Sequence, residues 1–268
     1  MLFNYMPLEY FKSLLDKGLY FRKASEFKDK SEGDFPKRAV QDCMQGLKYK
    51  IPDSSLISDL DNLMHGILES NKITTFINCW HRNTEFSKQM WDEYAQGEEG
   101  GLYIKTRPDL IYLSLSDTAR QLFEITKYLL LEEVIYSNNP ETEISEMVLA
   151  DCIIKAKSHK IKKRKFDFEN EFRIVINQTR FSCYTGKSFN SLQIDELVKD
   201  CMRIPPEEFQ LDESTEENEV TGIFIKINPS ILIDVIGTVG DNNIGKIQSI
   251  MKDYSLNIQV IDESRKFT

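Results

Sequence analysis

The chain has little histidine, no paired cysteines and no long apolar run, and each shortage removes a class of protein. Its three histidines, His65, His81 and His159, stand far apart with no H-E-x-x-H and no zinc-finger spacing, so no structural metal is expected. The five cysteines, Cys43, Cys79, Cys152, Cys183 and Cys201, are odd in number and hold no C-x-x-C pair, which predicts reduced thiols rather than a disulfide framework. The longest apolar stretches, around Leu129 to Leu131 and Ile231 to Ile236, fall far short of the ~20 residues that cross a bilayer. "MLFNYMPLEYFKS" has no basic segment ahead of an apolar one and no small-residue cleavage site. A cytoplasmic protein without membrane contact is the expectation.

Phosphate-loop motifs are missing as well. "GEEGG" lacks the lysine and spacing of a P-loop and the spacing of a dinucleotide fingerprint, and no G-x-S-x-G elbow occurs. A formal net charge of −9 argues against a protein that coats nucleic acid, because phosphate binding rests on lysine and arginine. The charge is uneven. "KAKSHKIKKRK", 155 to 165, carries seven basic side chains, and "EEFQLDESTEENE", 207 to 219, carries seven acidic ones. The plain reading is a solvated helix end and a mobile acidic loop near 205–220. The functional one is a basic lip beside an anionic ligand, or a clasp between the two segments.

What is present is an ordinary globular composition of 41% hydrophobic and 29% charged residues, without a repeat or a Gly/Ser linker. The whole of 1–268 reads as one domain. "LFNY" predicts a strand, and "PLEYFKSLLDKG" a helix with Pro7 in its first turn and Gly18 as its stop. "LYFRKASEF", "ITTFINCW", "GGLYIKT", "LEEVIYS", "TGIFIKI", "ILIDVIGTV" and "LNIQVID" predict strands. Helices are expected over 38–70, in "EFSKQMWDEYAQ", over 115–131, in "EISEMVLADCIIKAKSHK" and from Asn243 to Tyr254. Strands come partly as neighbours and partly around helices, so the expected fold is α+β, a mixed and mainly antiparallel sheet flanked by helices.

Chemistry could sit in three stretches. Tyr20 and Arg22 share a strand face ahead of the loop with Asp29, Glu32 and Gly33. Phe86, Met90 and Tyr94 follow one helical stripe with Trp91 beside them and Ser87 one turn earlier; such a stripe is most often core, but indole N–H and phenol O–H offer polar handles. In "KFDFENEFRIVIN", 165 to 177, Phe166, Phe168, Asn170, Phe172, Ile174 and Ile176 alternate with Asp167, Glu169, Glu171 and Arg173 along an expected strand. Alternate side chains on a strand lie roughly 6.5–7 Å apart, so Glu169, Glu171 and Arg173 can meet one ligand. An arginine beside Glu171 should keep it ionised. The plain alternative is an edge strand with a wet outer face.

These stretches resemble, in this order, the signatures of a bacterial and archaeal family catalogued as a domain of unknown function, number two-nine-seven-one. Its loop is matched by Phe27, Asp29, Glu32 and Gly33, with Lys30 where the family has proline. Its M-W-x-x-Y helix and the strands around it are matched by Cys79, Trp80, Ser87, Met90, Trp91, Tyr94 and Gly101, and its E-x-E-x-R strand by Glu169, Glu171 and Arg173. The resemblance spans residues 1 to 262 and implies a role in phage defence.

The order of elements is also similar to that of ADP-ribosyltransferases. This likeness implies NAD as substrate, with Asn4 or Tyr5 on the first strand, Tyr20 on the second and Glu171 or Glu169 on a late strand. The first position departs from that superfamily's usual histidine or arginine. The resulting expectation is an NAD-consuming toxin or abortive-infection effector. Glu171, Glu169 and Arg173 would be catalytic, and Tyr5, Tyr20, Arg22, Trp80, Ser87, Trp91 and Tyr94 would bind the ligand. The acceptor would be a protein or nucleic acid, and a neighbouring immunity or sensor protein would be the partner. Two alternatives stand beside it: a nucleic-acid binder or Mg-dependent nucleic-acid enzyme using 155–165 and the three-acid face, and a non-catalytic sensor or interaction module.

Overall fold

Alternation in "LFNYMP" makes strand β1, Leu2–Pro7, with Phe3 and Tyr5 on one face and Leu2, Asn4 and Met6 on the other. The structure is a computed structural model and describes residues 1–27, 45, 75–117, 119–120, 129–138, 161–177, 209–212 and 220–267. Pro7, with φ −58°, precedes helix α1, Leu8–Lys17, which buries Leu8, Phe11 and Leu14 at a spacing of three. Gly18 ends the helix at φ +106°, and a Cβ there would stand 2.0 Å from the Ile225 carbonyl oxygen, so only glycine fits. The chain then turns back as β2, Leu19–Lys23.

Strand β3, Thr75–Arg82, is buried along nearly its whole length. Then come helix α2, Lys88–Tyr94, strand β4, Gly101–Thr106, and helix α3, Pro108–Ser114. Strands β5, Leu129–Glu133, β6, Ile135–Ser137, and β7, Ile161–Lys163, lead to β8, Glu171–Asn177. Last are β9, Phe209–Asp212, β10, Gly222–Ile225, α4, Pro229–Leu232, β11, Val235–Thr238, α5, Asp241–Asp253, and β12, Gln259–Asp262.

The main sheet runs β12-β11-β4-β1-β3-β2-β10-β9, with β8 also paired to β3 and β5 paired to β8. Within it only β11 and β12 are parallel, joined by α5 as a crossover, while β6 and β7 form a small parallel pair of their own. The protein is therefore α+β, a single domain with a mixed, mainly antiparallel sheet flanked by helices. Facing residues of antiparallel strands share a side, so the register sorts both faces. One packs Leu2, Trp80, Ile104 and Phe172 with Phe11 of α1 and Ile247 of α5 in the larger core. The other carries Phe3, Tyr5 and Tyr103 against Met90 and Trp91 of α2.

Several expected elements change shape. "KFDFENEFRIVIN" is not one strand: Arg164–Glu169 is a 3-10 helix, Asn170 turns at φ 38°, and the strand starts at Glu171. Of the period-two aromatics there, Phe166 is flanked by cations, with Lys162 and Lys165 at 4.7 and 4.6 Å from its ring, while Phe168 packs against the cluster of Phe3, Tyr5, Met90 and Trp91. "ILIDVIGTV" divides into the end of α4 and β11, because the Asn228 side chain accepts the Ser230 N–H and caps a short helix after it. The expected helix over 115–131 gives way to β5 from Leu129, and "LEEVIYS" breaks at Val134, whose N–H donates to the Glu171 carbonyl. "LYFRKASEF" ends as a strand at Lys23 and continues as a 3-10 turn, Ala24–Glu26. Helix α3, opened by Pro108, was not anticipated. Of the acidic loop near 205–220, Phe209–Asp212 is strand β9 and Val220 is buried. The helix over 143–160, the one over 38–70 apart from the helical residue Gln45, the loop beyond Phe27 and most of the basic run lie outside the described residues.

Candidate functional site

β3 is the axis of the site. One of its edges pairs with β8 from Thr75↔Asn177 to His81↔Glu171. Its other edge is shared: β1 pairs with it at Phe3↔His81 and Leu2↔Arg82, and β2 at Arg22↔Ile77 and Lys23↔Phe76. Between these pairs neither strand follows β3, so the sheet forks at Asn78–Trp80, and α1 joins the two diverging strands. The backbone left bare there is satisfied by side chains, as buried polar groups require. Asn4 Nδ2 donates to the Cys79 carbonyl at 3.3 Å, and Asn78 Nδ2 donates to the Tyr20 carbonyl at 2.9 Å. Trp80 Nε1 donates to Asn78 Oδ1 at 2.5 Å and fixes which way that amide points.

The fork holds a cavity of about 460 Å³ lined by Asn4, Tyr5, Tyr20, Arg22, Asn78, Asp212 and Phe224, with Tyr10, Ser13 and Leu14 of α1. This volume lies in the range of small-molecule sites. Tyr20 and Phe224 meet with ring centroids 4.8 Å apart. Burial raises the Tyr20 hydroxyl pKa, as does the charge of Asp212, to which that hydroxyl is hydrogen-bonded, while a bond from Thr221 opposes them.

A buried charged network stands across β3. Register puts Cys79, Glu171 and Arg173 on the face that also carries Tyr5, Tyr20 and Arg22. Arg173 is fully buried, and its Nη2 lies 3.0 Å from Glu171 Oε2. Lys162 Nζ reaches Glu169 Oε2 at 2.5 Å and Glu171 Oε2 at 3.3 Å. Tyr94 donates its hydroxyl to Glu169 Oε1 at 2.5 Å, and the Glu171 N–H donates to the Tyr136 hydroxyl at 2.8 Å. Burial draws the Glu171 carboxyl upward, yet the charges of Arg173 and Lys162, with hydrogen bonds from Arg173 and Cys79, hold it down at about 2. Glu171 is thus ionised at any physiological pH. Burial and the adjoining Glu171 charge push the Cys79 thiol well up, so it is no thiolate nucleophile. Burial lowers the His81 pKa, and the neutral ring donates Nδ1–H to the Glu169 carbonyl at 2.5 Å while Nε2 accepts from Asn83 at 3.2 Å.

The expected site residues thus fall into three groups. Tyr5, Tyr20 and Arg22 line the cavity. Glu169, Glu171 and Arg173 are buried, Glu171 paired with Arg173 and Lys162, and Glu169 with Lys162 and Tyr94. The remainder build the scaffold: Trp80 and Trp91 lie buried in the two cores, and Ser87 caps α2 by accepting the Met90 N–H. Tyr94 stands at the edge of the network, 40% exposed, and like Trp80, Ser87 and Trp91 it does not line the cavity. Sequence reasoning missed Asn78, Asp212 and Phe224, and read Lys162 as part of a basic lip rather than as the partner of Glu169 and Glu171. Asn78 could have been flagged as the polar residue in an apolar strand; Lys162 and Asp212 were hidden inside charge runs.

Among the described residues no group of three or more His, Cys, Asp or Glu side chains could hold a metal ion. No described helix is long and apolar enough to cross a membrane. Compared with protein-family models, with curated proteins and with solved structures, the chain matches none.

Proposed function

We propose that this protein binds NAD in the fork and breaks its bond to nicotinamide, as an NAD-hydrolysing or ADP-ribosyl-transferring enzyme. The observation that carries the reading is the closeness of two features on either side of Cys79. The cavity opens where β1 and β2 leave β3, and its lining residue Asn4 donates to the Cys79 carbonyl, while the ionised Glu171, outside that lining, accepts from the Cys79 thiol on the face shared by Tyr5, Tyr20 and Arg22. In the reaction the bond between ribose C1′ and the nicotinamide nitrogen breaks, and its electron pair leaves with neutral nicotinamide. C1′ becomes cationic and then takes an oxygen from water or from a hydroxyl acceptor, whose proton passes to solvent. A fixed carboxylate lowers the barrier because it stabilises charge that exists only in the transition state. Glu171 is the residue for that role, with Arg173 and Lys162 holding its geometry. Arg22 takes the pyrophosphate, and the Tyr20–Phe224 pair offers an aromatic wall for a planar ring. Loss of NAD arrests a cell, which fits a toxin or abortive-infection effector acting in phage defence.

The test is nicotinamide release from NAD by the purified chain. Turnover by wild type is expected, with Glu171→Gln slower by about 100-fold or more. No release by wild type, or equal release by the variant, overturns the reading.

A further inference from the structure

The far end of the cavity carries a feature that the cleavage chemistry does not use. Register places Arg22, Gly222 and Asp212 in one row across β2, β10 and β9, with no side chain in the middle. A Cβ on Gly222 would stand 2.4 Å from the Tyr20 hydroxyl oxygen and as close to its ring, so the tyrosine lies across the glycine. The ring thereby reaches Asp212, to which its hydroxyl is hydrogen-bonded. Thr221 Oγ1 also donates to Asp212 Oδ2, at 3.2 Å, which fixes this carboxylate where it lines the cavity. Asp212 and Arg22 are the two charged side chains of the described lining, and they stand about 10 Å apart by strand spacing. The cavity is therefore polarised, cationic toward the fork and anionic toward β9.

We propose that Asp212 is a specificity-determining residue, accepting a hydrogen bond from a hydroxyl or amine of the ligand and excluding phosphate, with Gly222 as the residue that lets Tyr20 lie in place. The inference rests on reading the fork as a nucleotide site. β9 lies three strands from β3, about 14 Å, so a dinucleotide whose reacting ribose sits at the fork brings its adenosine ribose to Asp212. A free ribose diol donates to that carboxylate. A 2′-phosphate meets it with like charge, which a buried or half-buried site punishes strongly.

The probes are ADP-ribose and its 2′-phosphate, neither of which contains the bond that is cleaved, titrated into the full chain by calorimetry. Wild type is expected to bind ADP-ribose roughly tenfold or more tightly than the phosphorylated form. Asp212→Asn is expected to bring the two within about threefold of each other, chiefly by tightening on the phosphate. Asp212→Ser serves as a second variant with the same expectation. Equal binding of both probes by wild type, binding of neither, or an unchanged ratio in both variants overturns the inference. Discrimination without any nicotinamide release would leave Asp212 in its role and overturn the catalytic reading alone; release without discrimination would do the reverse.

Discussion

At Glu171 the decisive physics is the contest between burial and pairing. Two carboxylates and two cations are withdrawn from water together, which costs several kcal/mol per ion unless each charge finds its partners. Arg173 and Lys162 supply them, and the result is a carboxyl held at about 2 rather than at its ordinary 4.5. Because the folded pKa is depressed, the stabilisation is complete above the unfolded value and is lost as pH falls from 4.5 toward 2. The shift is worth roughly 3 kcal/mol. Urea melts of wild type and Glu171→Gln at stepped pH should show their stability gap narrowing through that window; a constant gap would mean that the network does not hold the ionised form. At this scale the sequence was partly legible. It pointed to Glu171 and Arg173 as mutually ionising neighbours, because the two-residue spacing on a strand is short-range information. It did not point to Lys162, whose engagement with Glu169 depends on how β7 and the following 3-10 turn fold back, and which a run of basic residues disguises.

Elements were legible where one physical signal dominated and lost where two competed. Strand β1, helix α1 and strand β4 followed from alternation, from helical spacing and from Pro7, Gly18 and Gly101 as punctuation. In "RKFDFE" the same alternation misled, since six residues with aromatics two apart satisfy a strand pattern while Asn170, tolerant of a positive φ, allows the 3-10 turn. Helix α2 shows a further division between scaffold and chemistry. Ser87 was a candidate ligand contact, but its hydroxyl accepts the Met90 N–H and its own N–H donates to the Tyr5 hydroxyl, so it fixes the start of α2 on β1. Burial pushes the Tyr5 hydroxyl up to about 12, so it stays protonated while it accepts that bond. Ser87→Ala should cost about 1 kcal/mol in a urea melt, the usual value of an N-cap, and leave the affinity for ADP-ribose unchanged. A large loss of affinity at full stability would return Ser87 to the ligand.

At the scale of the molecule, the fork is a property that no single stretch announces. Strand order, with β1 and β2 sharing one edge of β3, arises from long-range pairing, and only the cluster of polar residues Asn4, Asn78 and Tyr20 in otherwise apolar strands hints at it. The fold class could be anticipated because neighbouring and interleaved strands already imply a mixed sheet. The cavity could not, because it is made by the place where pairing stops. In the proposed enzyme that gap and Glu171 serve one site, and steady-state nicotinamide release by wild type, Tyr20→Ala and Glu171→Gln tests the union most directly. The expected result is a raised KM for Tyr20→Ala with kcat nearly kept, and a collapsed kcat for Glu171→Gln with KM nearly kept. Release that is absent in wild type, or that ignores both substitutions, contradicts it.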